Sequence, residues 1–147
     1  MSTGPTFSTQ LIGQTEKTLN AILDRLLAGT GLTEHQWITL TLAVTSGEAL
    51  DVPAFVSHVA EVIKITEAEA LARVDELATA GLLAEPDVAA STVRLTDAGS
   101  ELQRRIRSSV VEITDRMWGD LPAEDLAAAG RVLTTVLERA NAELVRA

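Results

Sequence analysis

Cysteine and tyrosine are absent from the 147 residues, and the aromatic side chains amount to two tryptophans and two phenylalanines. The missing thiols exclude disulfides, thiolate nucleophiles and cysteine metal sites together, and they fit a reducing compartment, so a cytoplasmic location is expected. At 3% aromatics the chain lacks a stacking platform for single-stranded nucleic acid. No stretch approaches the roughly 18 consecutive apolar residues of a membrane span. The opening MSTGPTFSTQ carries neither the basic patch nor the apolar run of a secretion signal. Positive charge is scarce as well: 12 Lys+Arg face 21 Asp+Glu, a net of -9, so any contact with a polyanion must rest on a local patch. His35 and His58 are the two histidines, and His58 with Glu61 at i, i+3 falls short of a metal ligand set. Neither a G-x-S-x-G elbow nor a glycine-rich phosphate loop is present, so no metal, no cofactor and no enzymatic activity is expected.

What is present is a 46% apolar chain whose pattern is helical almost throughout. Residues 1 to 8 are small and polar and predict a flexible lead-in. Ile12, Thr15, Leu19, Ile22 and Leu26 recur at steps of 3 and 4, which predicts an amphipathic helix over 9–28 that stops at Gly29 and Gly31. Thr33 with Gln36 has the spacing of a capping box and opens a second helix through Trp37, Leu40 and Val44. Asp51 caps a third, with Pro53 in its first turn and a core face of Phe55, Val56, Val59, Val62 and Ile63. Thr66 with Glu69 forms a second capping box only three residues later, opening a fourth helix through Leu71, Val74 and Leu77 to Gly81. In that first turn Glu67 and Glu69 favour the positive end of the helix, a stabilising role.

The period then shortens to 2. Leu82–Ala84 and Thr92–Leu95 predict a small hairpin around EPDVAAS. Thr96 caps a fifth helix with the stripe Leu102, Ile106, Val110, Ile113 and Met117, about 33 Å long at 1.5 Å per residue. After Gly119 and Pro122, a sixth carries Leu126, Gly130, Leu133, Leu137, Ala140 and Leu144 as a lengthwise seam. The expected fold is therefore mainly α with a small β-hairpin wing, a winged helix-turn-helix. Its parts are a lobe at 31–97, a long connecting helix at 97–118, and terminal segments at 9–30 and 119–147. So small a lobe cannot cover both terminal stripes, and a second copy is the simplest cover. A homodimer of the obligate type is expected, through Ile12, Leu19, Ile22, Leu133, Leu137 and Leu144, and Trp118 is assigned to the same packing.

Three segments in this order and spacing, GLTEHQWITL at 31–40, Val74-Asp75-x-Leu77-x3-Gly81-Leu82-Leu83, and VRLTDAGSEL at 93–102, resemble the multiple antibiotic resistance regulator (MarR) family of dimeric winged-helix transcription factors. The last segment, with its L-T-x-x-G, is the most specific. The resemblance implies a regulator whose affinity for a palindromic double-stranded operator falls when a small aromatic or phenolic ligand binds where the dimer helices meet the DNA lobe. The reading helix would be 66–80 and the wing 85–94. Thr66, Ala68, Ala70, Arg73, Ser91, Thr92 and Arg94 are expected to face the duplex, with Arg73 forking to guanine. His35 and Trp37, at the start of the second helix, are the expected ligand contacts.

The chain departs from the family pattern in charge. Aligned on Leu95-Thr96, the family's wing aspartate falls on Asp87 but its arginine on Ala89, and the T-R pair before the core valine becomes Leu71-Ala72. From Asp51 to Asp97, Lys64, Arg73 and Arg94 face nine acidic residues, a net of -6. A specific dimer neutralises roughly 6 to 10 phosphates, so weak, salt-sensitive DNA binding is expected, or a winged helix that has lost DNA and contacts protein or small molecules instead. Arg104, Arg105 and Arg107 on the fifth helix could add backbone contacts.

Overall fold

Residues 4–46, 50–84 and 92–146 are described by the computed structural model. Along them run α1 (Thr9–Leu27), α2 (Glu34–Thr45), β1 (Leu50–Asp51), α3 (Val52–Ile63), α4 (Glu67–Thr79), β2 (Thr92–Val93), α5 (Asp97–Trp118) and α6 (Ala123–Leu144). The starts of α1 to α5 are set by side-chain oxygens that satisfy otherwise orphan N–H groups. Ser8 accepts from the Leu11 N–H at 3.1 Å, Asp51 from Ala54 at 3.1 Å and Thr96 from Gly99 at 3.0 Å. Both predicted capping boxes close reciprocally, at Thr33/Gln36 and Thr66/Glu69. Gly29, Gly31 and Gly81, the predicted stops, all have positive φ.

Two compact units divide the chain, Met1–Val110 and Val111–Ala147. In the first, Leu40, Phe55, Val59, Val74, Leu77 and Leu83 are at most 2% exposed and join α2, α3 and α4 to the base of the wing. Full burial of such side chains stabilises by about 1.5–3 kcal/mol each. A smaller cluster in the same unit packs Leu27, Trp37 and Ile106 together. The turn from α3 to α4 is Lys64-Ile65-Thr66, sharp because Lys64 adopts the left-handed conformation at φ 64°, which lets the Ile65 N–H reach back to the Ala60 carbonyl at 3.1 Å.

The L-T-x-x-G segment now has a physical explanation. Thr96 caps α5 while its hydroxyl also lies 2.7 Å from the Gly81 carbonyl and 2.9 Å from that of Leu82. Gly99 is packed so closely on the same strap that a Cβ there would sit 2.0 Å from the Leu82 oxygen. One threonine and one glycine thus fasten α5 to the end of α4.

Three details differ from expectation. The hairpin's first arm is reduced to a single antiparallel bridge, Leu83 with Leu95, plus the Ala84 N–H donated to the Arg94 carbonyl at 2.8 Å. The partner of β2 is β1, in the register Leu50 to Val93 and Asp51 to Thr92. Two residues running straight into the α3 cap are too short to show a period, which is why β1 escaped notice. Val62 and Leu71, expected on core faces, are 47% and 42% exposed. The predicted loop residues 85–91, with Asp87, Ala89 and Ser91, lie outside the described residues.

Candidate nucleic-acid interface

The setting of α4 about its own axis follows from what it buries. Ala70, Val74, Leu77 and Ala78 fill the core, and at 100° per residue this turns Ala68, Ala72, Asp75 and Thr79 to the opposite side, with Glu69 and Glu76 beside them. Ala68, Asp75 and Thr79 are exposed and Ala72 half-buried. Ala70 is therefore a correction: it is fully buried in the shared core and cannot face a duplex. Thr66 is exposed, but its hydroxyl and N–H are engaged with Glu69 at 3.1 Å each. The Thr66 N–H, and then its hydroxyl, hold the Glu69 carboxyl below its usual range, with Arg73 and His35 adding to the effect.

Arg73 sits on the flank of α4 next to α2 rather than at the centre of its outer side. Its Nη2 donates to Glu76 Oε2 at 3.0 Å. Its Nε lies 2.7 Å from Oε1 of the same carboxylate, an ion-pair approach that is not an aligned hydrogen bond. Gln36, whose Oε1 completes the α2 capping box, donates from Nε2 to Glu76 Oε1 at 2.9 Å. Glu76 is accordingly held well ionised, first by the Gln36 hydrogen bond and then by Arg73. Sequence reasoning found Gln36 as a cap but not as a bridge, since nothing in the spacing brings residues 36 and 76 together.

At the wing base, Thr92 is half-buried in β2 and Arg94 is exposed. On α5, Arg104 is paired along the helix with Glu101 at 2.7 Å, while Arg105 and Arg107 are exposed.

A cleft of about 620 Å³ opens in the first unit between the end of α1, the strap at Leu82 and the start of α5. Leu26, Leu82, Leu102 and Ile106 supply its apolar wall, and Arg105 and Ser109 its polar rim. Neither expected ligand contact lines it. Trp37 is 8% exposed within the second cluster, and the backbone carbonyl of half-buried His35 accepts from Thr39 Oγ1 at 2.7 Å. Trp37 is turned to the protein's own interior, whereas His35 stands close enough to exposed Glu69 to favour its ionised form.

The residues expected at a dimer contact split into two groups. Ile12, Leu19 and Ile22 on α1 are half-buried. On α6 no residue is buried, and Leu133, Leu137 and Leu144 are 48%, 59% and 70% exposed. Trp118, at the end of α5, is 41% exposed.

No protein-family model matches the sequence, and a search of curated proteins finds no match either. Solved structures do match. CouR from Rhodococcus jostii RHA1, bound to p-coumaroyl-CoA, aligns with a TM-score of 0.73 at 19% identity, over 86% of this chain and 88% of that one. NadR in complex with 4-hydroxyphenylacetate aligns at 0.73 and 21% identity, over 92% and 98%. The Mycobacterium tuberculosis MarR family protein Rv2887, in complex with DNA, aligns at 0.68 and 20% identity, over 90% and 98%. The fold is that of the MarR winged helix-turn-helix regulators. Within the MarR fold, α3 and α4 are the helix-turn-helix and the bridge at Leu83 and Leu95 is the root of the wing. No described helix is long and apolar enough to cross a membrane.

Proposed function

We propose that this chain is a MarR-family transcriptional regulator that binds double-stranded DNA as a homodimer and responds to a small ligand. The observation that carries the reading is the α3–α4 pair, joined through Lys64 and presenting the outer side of α4 away from the shared core, in a fold that Rv2887 uses in complex with DNA. Thr66, Ala68, Arg73, Ser91, Thr92 and Arg94 remain the residues assigned to the duplex. Dimerisation is supported by the bare apolar stripe of α6, which one chain leaves in water along its whole length. Ligand response is supported by the 620 Å³ cleft, whose apolar wall and Arg105 rim suit a small aromatic body with an acidic head. CouR and NadR, each solved with an aromatic acid derivative, lend the same support. Gel shift of the purified dimer on the duplex upstream of its own coding region tests the reading. A shift that weakens from about 50 to 200 mM salt is the expected result.

One observation favours a second reading. The outer side of α4 presents Glu69, Asp75 and Glu76 with alanine and threonine between them, and its single cation is already paired. A winged-helix protein that meets a basic protein partner through this side would show no shift even near 50 mM salt while remaining a folded dimer.

A further inference from the structure

Arg73 is the only Lys or Arg in α4 (Glu67–Thr79). Both oxygens of Glu76 address one edge of its guanidinium, at 2.7 and 3.0 Å. That carboxylate is not a loose surface group. Gln36 Nε2 donates to it at 2.9 Å, while Gln36 Oε1 accepts from the Thr33 N–H at 2.9 Å, so the amide is itself anchored in the α2 capping box. The series Thr33, Gln36, Glu76, Arg73 therefore runs from the start of α2 to the one cation of α4. An isolated surface pair would be worth little and would release its arginine to a phosphate readily. A carboxylate fixed from behind by a second hydrogen bond loses less entropy on pairing and competes better.

We propose that Glu76, positioned by Gln36, is an affinity-limiting clamp that holds Arg73 on the flank of α4 and cancels its charge, so that the reading helix offers no net cation to DNA. The clamp rests on the DNA-binding reading above and adds to it a specific residue that sets how tightly the duplex is held. Asp75 makes the control. It is exposed on the outer side of the same helix, and Asp75→Asn removes the same single charge as Glu76→Gln without touching the Arg73 contact. Bulk electrostatics treats the two variants alike, whereas the clamp does not.

The experiment is a fluorescence-anisotropy titration of the full-length protein on a mixed-sequence duplex across low to moderate salt, for the wild type, E76Q, D75N and the double variant R73A/E76Q. E76Q is expected to bind at least about threefold tighter than D75N, with the dependence of log K on log salt steepened by about 0.9 for each Arg73 that reaches a phosphate. R73A/E76Q should lose both gains. Gln36→Leu, which keeps the ion pair but removes its anchor, should give part of the E76Q effect. Equal affinities and slopes for E76Q and D75N overturn the clamp and leave the DNA reading standing. Absence of binding by every variant at the lowest salt, with helical circular dichroism intact, overturns both.

Discussion

Within Met1–Val110, Leu40, Phe55, Val59, Val74 and Leu77 are at most 2% exposed, whereas α6 repeats leucine at the same helical spacing and buries none of its side chains. The two stretches resemble each other in periodicity and differ in what lies opposite. In the first, α2, α3, α4 and β2 close on one another through caps, a left-handed turn and the Thr96 strap, so each apolar stripe has a neighbour from its own chain. In α6 the stripe is equally well formed, yet none of its residues is buried. Amphipathicity states that a face will be covered; it does not state by which chain.

The contrast can be broken most forcefully at its strap. Gly99→Ala places a methyl 2.0 Å from the Leu82 carbonyl and 3.1 Å from the Leu95 side chain, with backbone on the near side and no room to yield. A loss of about 3 kcal/mol in chemical denaturation is expected, the upper range for forced overpacking. A stability within experimental error of wild type would show that the α4–α5 junction is looser than its geometry. Next in size is Leu137→Lys on α6. Leu137 is 59% exposed in one chain, and if a second copy covers it the substitution should cost about 2 kcal/mol of association, roughly thirtyfold in Kd. Sedimentation velocity over a dilution series checks this, and an unaltered profile would remove Leu137 from the interface.

The smallest effect sharpens the first region alone. Thr66→Ala deletes the α4 cap and should cost about 1 kcal/mol. Its partner Glu69 adds a pH signature. The Thr66 N–H and hydroxyl favour the ionised carboxylate, so the folded-state pKa lies below the ordinary 4.5. That contribution is complete above the unfolded value and disappears as pH falls through the folded one. Glu69→Gln, which retains an acceptor for the Thr66 N–H but not the charge, should be less stable than wild type at neutral pH, with the difference closing as pH falls below about 4.5 and the acid limb correspondingly flatter. Thermal melts from neutral to acid pH would detect it, and parallel curves for the two proteins would contradict it.

Much of the fold was legible in one dimension because its signals are local. Thr and Asp caps, glycines at positive φ and stripes at 3.6 residues act within a turn or two of where they stand, and the caps at Thr33, Asp51, Thr66 and Thr96 set four of the six helix starts. Lys64 shows the limit: a left-handed lysine carries no glycine to announce it. For the candidate interface less was legible. Ala70 looked available because alanine has no strong preference for water or core, and only the rotation of α4 against α2 and α3 decided that it is buried. Arg73 looked like a free fork to guanine because its neighbours along the chain do not reveal that Gln36, forty positions from Glu76, holds the carboxylate with which Arg73 pairs. The cleft beside Arg105 draws its wall from α1, the Leu82 strap and α5, and no window of sequence contains all three.

The amino-acid order by itself determined where helices begin and end, which faces are apolar, and a charge balance that disfavours phosphates, since each depends on residues a few positions apart or on a simple sum. Tertiary structure alone decided the strand partner of β2, the inward fate of Ala70 and Trp37, and the tether that joins Gln36 to Glu76 and Arg73. Those outcomes turn on distances between segments remote along the chain, and such distances come into being only when the core closes.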